Sequence, residues 1–261
     1  MSDCIRYAVG DGIATLTFNR PAVMNALDAA TLREFRAACE RAAGDRSARV
    51  VVLCGAGPAF VAGGDVALFR NRLAELPQRV PELAGELHRG ILALRRAPQP
   101  VIAAVHGAVA GAGISIMLAC DLVLAAAGTQ FSLAYSRIGT SPDGGATWFL
   151  PRLAGYQQAM ELLLLADAVD AAAMRRLGVV NRVIAADQLA TETDRLARRL
   201  AAGPALAYAE TKALVNRGLN AGLAAQLDAE ALAFARCAAT RDFAEGVTAF
   251  VEKRQPLFNG E

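Results

Sequence analysis

Three short stretches carry the residue types that could do chemistry. One is Thr140-Ser141-Pro142-Asp143-Gly144-Gly145, which sets a carboxylate in a tight turn just ahead of an apolar, helix-forming segment, Ala146 to Leu153. Asp143 there can cap the helix, or it can act as an acid/base group in a cavity. The other two are glycine turns: Phe60-Val61-Ala62-Gly63-Gly64-Asp65, and Gly107 to Gly113 within VIAAVHGAVAGAGISIMLACD at 101–121. In the longer one an apolar run enters the turn and a second leaves it, as a strand, a turn and a buried helix start would. Helix starts leave their first N–H groups unpaired, and such donors bind oxygen atoms that carry negative charge. If a helix begins near Asp65, the N–H of Gly64 is one such donor.

Several other chemistries lack their residues. The stretch 101–120 is uncharged and long enough to cross a bilayer, with a G-x-x-x-G pair at Gly107 and Gly111, but no Lys or Arg cluster flanks it and its glycine-dense middle suits a turn. A dinucleotide site would need a third glycine where Ile116 stands, and an acid further on. There is no G-x-S-x-G elbow and no H-E-x-x-H, and His88 and His106 are too few and too far apart for a His-based metal site, so no metal is expected. A net charge of +2, with basic and acidic residues interspersed, gives no footprint for nucleic acid. Cys4, Cys39, Cys54, Cys120 and Cys237 are odd in number and show no C-x-x-C spacing, so reduced thiols in a cytoplasmic protein are expected. The start, MSDCIRY, has no basic run followed by an apolar core, and no secretory signal is expected.

The elements that must position the three stretches follow from pattern. Ile5 to Val9 and Ile13 to Phe18 alternate about Gly10-Asp11-Gly12, which predicts a hairpin. Asp28 is placed to cap a helix whose buried face is Leu32, Phe35, Cys39 and Ala42, and Arg49 to Cys54 is a buried strand, completing a β-α-β crossover. Arg70 to Pro81 reads as a mobile connection, and a helix returns over Glu82 to Arg96. Strands are predicted over Leu122–Ala126 and Val179–Ile184. From Asp187 onward the pattern is wholly helical: Asp187 to Ala201, Pro204 to Leu219, Leu223 to Ala239 and Asp242 to Lys253. A β/α body with a helical tail points to a tail used for packing, including between subunits.

Taken in order, NRPAVMNAL at 19–27, FVAGGD at 60–65, VHGAVAGAGISIMLACDLVLAA at 105–126, IGTSPDGGATWFLPRLAG at 138–155 and FVEKRQPLF at 250–258 resemble the crotonase superfamily, also called enoyl-CoA hydratase/isomerase. The resemblance implies an α/β fold, a crotonase-like spiral of β-β-α units, with a core over 1–200 and a helical C-terminal oligomerisation region over 201–261. It implies assembly as a homotrimer or a dimer of trimers, and an acyl-CoA substrate, with coenzyme A present only as part of the thioester. By motif, the backbone N–H groups that hold the thioester oxygen fall on Gly64 and Ala112. The resemblance sets Ala62, Asp65, Val66 and Lys253 against coenzyme A, and Ser115, Tyr135 and Trp148 around the acyl group, although Trp148 can equally be core.

One departure decides the expected reaction. The two glutamates by which hydratases of this family add water are matched here by Ser115 and Tyr135, which are weak acids near neutral pH. Asp143 remains, at the position where isomerase-type members carry their working aspartate. A double-bond or ring isomerase with Asp143 as proton shuttle is therefore expected. The alternatives are a hydratase with an altered acid/base set, a dehalogenase-like use of Asp143 as nucleophile, and a non-catalytic acyl-CoA-binding protein.

Overall fold

The computed structural model describes residues 3–260; Met1, Ser2 and Glu261, which fall within the two expected ranges, lie outside the described residues. β1 (Ile5–Gly10) and β2 (Ile13–Phe18) form the predicted antiparallel hairpin, with Asp11 and Gly12 at positive φ making the reversal. α1 (Ala29–Gly44) starts where Asp28 accepts a hydrogen bond from the Thr31 N–H, and it delivers the chain to β3 (Val50–Gly55), parallel to β2. After the first glycine turn come α2 (Val66–Arg70) and α3 (Leu76–Arg96). The second glycine stretch resolves into β4 (Val101–Val105), β5 (Ala108–Ala110) and the wholly buried α4 (Ala112–Leu118).

The chain continues through β6 (Leu122–Ala126), β7 (Gln130–Ser132), α5 (Ala146–Ala154), α6 (Tyr156–Leu165), β8 (Val169–Asp170), α7 (Ala171–Arg176) and β9 (Arg182–Ile184). It ends in α8 (Leu189–Ala201), α9 (Ala205–Gly218), α10 (Leu223–Ala238) and α11 (Arg241–Glu252). The fold is α/β, as expected. A main sheet runs β1-β2-β3-β4-β6-β9, parallel from β2 onward, and a small sheet runs β5-β7-β8. Side chains alternate across the main sheet. Leu16, Val51, Leu53, Ala103, Val105 and Val123 face the larger core, whereas Val50, Val52, Ile102 and Leu124 pack under α8.

Two differences from expectation have physical causes. α3 begins at Leu76 rather than at Glu82, because Pro77 sits in its first turn, where no N–H is needed. Pro81 is carried inside the same helix and leaves it continuous. The strand expected over Val179–Ile184 is paired only from Arg182, because the N–H groups of the buried Val179 and Val180 both donate to Met174 O at the end of α7.

α1 and α3 lie together over the larger core, in contact at Gly90, where a Cβ would fall 2.6 Å from the Phe35 ring. Phe18 packs on both Phe35 and Phe60 with ring centroids 5.6 Å apart, which ties the hairpin, α1 and the first glycine turn into one unit. Burying each such ring contributes roughly 1.5–3 kcal/mol. Among the described residues no helix is long and apolar enough to cross a membrane.

Candidate active site

Asn25, inside NRPAVMNAL, builds one wall of the site. It is 1% exposed and sits in the left-handed region, with φ 58°. Its Oδ1 accepts from the Arg20 N–H at 2.7 Å, and its Nδ2 donates to the carbonyls of Ala56, Ala59 and Phe60. With the loop pinned, Leu27 N–H donates to Gly63 O at 2.8 Å and Asp65 N–H to Leu27 O at 3.0 Å. In such parallel pairing the residue between them, Gly64, points its own N–H the other way, out of the pairing.

The second wall is locked to the first. Val61 and Val109 are paired in parallel, and Ala110 N–H donates to Val61 O at 3.0 Å. Gly64 and Ala112 each stand three residues beyond that pair, so the same register brings them level. The approach demands glycine: a Cβ at Gly113 would lie 2.2 Å from Val61 O, and one at Gly107 would lie 1.8 Å from Pro58 O. Ala112 is the first residue of α4. Among the described residues neither its N–H nor that of Gly64 donates to another protein group.

Both residues line a cavity of about 570 Å³, and so do Ala62, Asp65, Val66, Tyr135 and Asp143. α3 supplies an apolar stripe to the same wall: Leu76, Val80, Leu83, Ala84 and Leu87. Three expected residues do not line it. Ser115 is fully buried behind Tyr135. Trp148 is half-buried against the larger core, edge-on to Phe149 and under the Arg152 guanidinium. Lys253 forms the left-handed C-terminal cap of α11. Arg33, Arg72 and Arg79, which the motifs do not single out, line the cavity instead.

Three carboxylates reach this lining, and two are committed elsewhere. Asp28 caps α1 and pairs with Arg20 at 3.0 Å; burial works against its charge, but the Thr31 N–H and hydroxyl and Arg20 outweigh it and hold the carboxyl below its usual range. Asp65 caps α2 through the Leu68 N–H and lies 3.5 Å from Arg20. Asp143 is different. It does not cap α5 with its side chain, because Gly145, at φ 82°, is the capping residue there.

The Asp143 carboxylate is held by a hydroxyl. Tyr135 Oη donates to Oδ1 at 2.7 Å, and Ser115 Oγ lies 3.2 Å from Tyr135 Oη and donates to the Asp143 carbonyl at 2.9 Å. Burial first, and then the charge of Asp143, push the Tyr135 phenol far above its ordinary value, so it stays a protonated donor. On the other side, Gly144 N–H donates to His88 Nε2 at 3.3 Å, a contact from α3 that no motif signals. The arrangement can hold an oxyanion on Gly64 and Ala112 while a carboxylate moves a proton nearby. No group of His, Cys, Asp and Glu among the described residues is arranged to hold a metal ion.

Comparison with known proteins adds three kinds of likeness. The family model described as enoyl-CoA hydratase/isomerase matches residues 8–261. A Rhodobacter capsulatus protein named "Probable enoyl-CoA hydratase" is 41% identical over 98% of both chains. The 1,2-epoxyphenylacetyl-CoA isomerase of Escherichia coli strain K12 is 34% identical over the full length of both. Among solved structures, an enoyl-CoA hydratase from Polaromonas sp. JS666 matches with a TM-score of 0.93 at 36% identity, over 98% of this chain and 99% of that one.

Proposed function

This chain belongs to the enoyl-CoA hydratase/isomerase family, and from that premise we propose that it is an enoyl-CoA isomerase in which Asp143 carries the proton. The observation that supports this reading is that Asp143 is the one cavity-lining carboxylate, among the described residues, left without a helix to cap or an arginine to pair with. In this reading the thioester carbonyl oxygen of a β,γ-unsaturated acyl-CoA accepts from the Gly64 and Ala112 N–H groups. Asp143 takes a proton from the α-carbon, and the electron pair moves into the carbonyl to give a dienolate. The two donors stabilise its oxygen as the charge develops. Protonated Asp143 then returns the proton to the γ-carbon, and the double bond ends in conjugation with the thioester. A ring isomerisation uses the same enolate.

Hydration would need a further group to activate water. Ser115 and Tyr135 each give their one proton to Asp143, Ser115 to its carbonyl and Tyr135 to its carboxylate, and neither hydroxyl is a base near neutral pH. The second reading, a hydratase with an altered acid/base set, draws on relatives that carry that name. A parallel assay separates the two. A β,γ-unsaturated acyl-CoA is expected to gain the ultraviolet absorbance of the conjugated thioester, at a rate at least about a hundredfold above hydration of crotonyl-CoA, a gap of the size one missing acid/base group creates. Faster hydration than isomerisation would favour the second reading.

Coenzyme A enters this proposal as part of the substrate, its phosphates drawn to the wall that carries Arg33, Arg72 and Arg79. Assembly is proposed through the helical tail. Phe234, Phe250, Val251 and Leu257 are 67–85% exposed in the single chain, an apolar surface that copies of this chain would cover. Light scattering on the eluting protein is expected to give three or six chain masses, and a monomer would contradict it.

A further inference from the structure

Tyr135 and Ser115 are buried hydroxyls that the proton transfer just described does not use. Tyr135 is 8% exposed and Ser115 0%. Each has one proton to give, and the distances say where those protons go. The shortest contact of Tyr135 Oη is Asp143 Oδ1, at 2.7 Å, and that of Ser115 Oγ is the Asp143 carbonyl, at 2.9 Å. Asp143 Oδ2 makes no hydrogen bond to the protein among the described residues.

That division has a chemical consequence. With Asp143 ionised, Oδ1 is occupied by the tyrosine and a proton arriving from a ligand goes to Oδ2. With Oδ2 protonated, Oδ1 is the carbonyl oxygen of the acid and still accepts from Tyr135, so no hydrogen bond has to move between the two states. The turn is fixed at its backbone as well. A Cβ at Gly144, at φ +60°, would lie 2.6 Å from the Ser115 Cβ, so α4 abuts the turn, while His88 on α3 accepts the Gly144 N–H.

We propose that Tyr135, backed by Ser115, is the positioning residue of this site: it occupies Asp143 Oδ1, dedicates Oδ2 to the substrate, and holds one carboxyl orientation through both halves of the isomerisation. The proposal rests on the reading of Asp143 as proton carrier. It gives the two residues that replace the hydratase glutamates a shared task, directed at Asp143 rather than at water.

The test compares native protein with Tyr135→Phe, which removes one oxygen and leaves the ring in place. The other charged and titratable groups of the site are His88, which meets the turn at Gly144, and Asp28, Arg33, Asp65, Arg72 and Arg79, which line the same cavity; both proteins share them, so a difference between the two reports Tyr135. Turnover is expected to fall roughly 10- to 100-fold, the scale for a misplaced reacting group, with KM within about twofold, since a lost positioning contact need not weaken substrate binding. The acid limb of the pH profile is expected to move to higher pH, because the ionised carboxylate has lost a donor. Ser115→Ala, one link further from the carboxylate, is expected to move the limb less and in the same direction, and it serves if Tyr135→Phe does not fold. Equal loss at every pH, with the limb unmoved in whichever variants fold, marks a merely structural role and overturns the proposal, as does turnover within about twofold of native, too small for a lost hydrogen bond to a charged group. Asp143→Asn keeps the two questions apart. If that variant retains turnover, the reading of Asp143 fails whatever Tyr135→Phe does; if it is inactive and the limb does not move in Tyr135→Phe, only the positioning role fails.

Discussion

Replacing Asp143 with asparagine is expected to lower isomerase turnover by about 10²- to 10⁴-fold, the range that one positioned acid/base group supplies. Asparagine keeps the shape of the side chain, and its carbonyl oxygen can still accept from Tyr135, so the turn between α4 and α5 is expected to hold. Stability should change little for a second reason. The side chain of Asp143 caps no helix, because Gly145 fills that place, and it forms no ion pair among the described residues. The loss should therefore appear in kcat, while a saturated acyl-CoA binds within a few-fold of native, measured by titration calorimetry. Turnover within tenfold of native would remove Asp143 from the mechanism.

Ala112→Pro is expected to cost about 10²–10³ in kcat, the usual effect of losing one oxyanion donor. The position makes this substitution unusually clean. Ala112 opens α4 as its first residue, where a missing N–H breaks no helical hydrogen bond and proline's fixed φ suits the helix. The preceding Gly111 has the backbone freedom that a residue before proline needs. What is lost is the donor facing the cavity, and a ring methylene takes its place. Ala112→Gly keeps the N–H and serves as the control, with turnover expected within a few-fold of native. Equal activity in the proline variant, with the thermal transition unchanged, would mean that the oxygen is held elsewhere.

Much of the proposed site can be read along the chain because the donors proposed for it are backbone atoms announced by glycine. Gly107 and Gly113 mark where two turns touch, and the Asp65 and Asp28 caps lie where helix-start chemistry puts them. The role of Asn25 is not legible in the same way. Its motif is recognisable, but hydrogen bonds to three carbonyls, at residues 56, 59 and 60, depend on tertiary closure. Contacts across long separations are hidden for the same reason. Tyr135 and Ser115 are 20 residues apart, and His88 and Gly144 are 56 apart.

Pro77 hides the start of α3, because it reads as a breaker although the first turn of a helix accepts proline; Pro81, beyond that turn, is carried inside the helix. The apolar stripe that this helix turns to the cavity, Leu76, Val80, Leu83 and Leu87, does recur at helical spacing, and that is the signal that would have extended the helix. β5, β7 and β8 are too short to carry a period of their own. Trp148, set by its motif near the acyl group, spends its ring on Phe149 and Arg152, because the face it takes on α5 follows from how that helix packs.

The central claim is that a single carboxylate takes a proton from one carbon of the acyl chain and returns it to another. The most direct measurement starts from a β,γ-unsaturated acyl-CoA carrying deuterium at the α-carbon and reads the conjugated product by mass spectrometry and NMR, in ordinary water. The account predicts that part of the label is found at the γ-carbon with the native protein, and that Asp143→Asn gives no product over the same time. A product whose γ-hydrogen comes wholly from water, or a hydroxyacyl-CoA in place of the conjugated thioester, would contradict it.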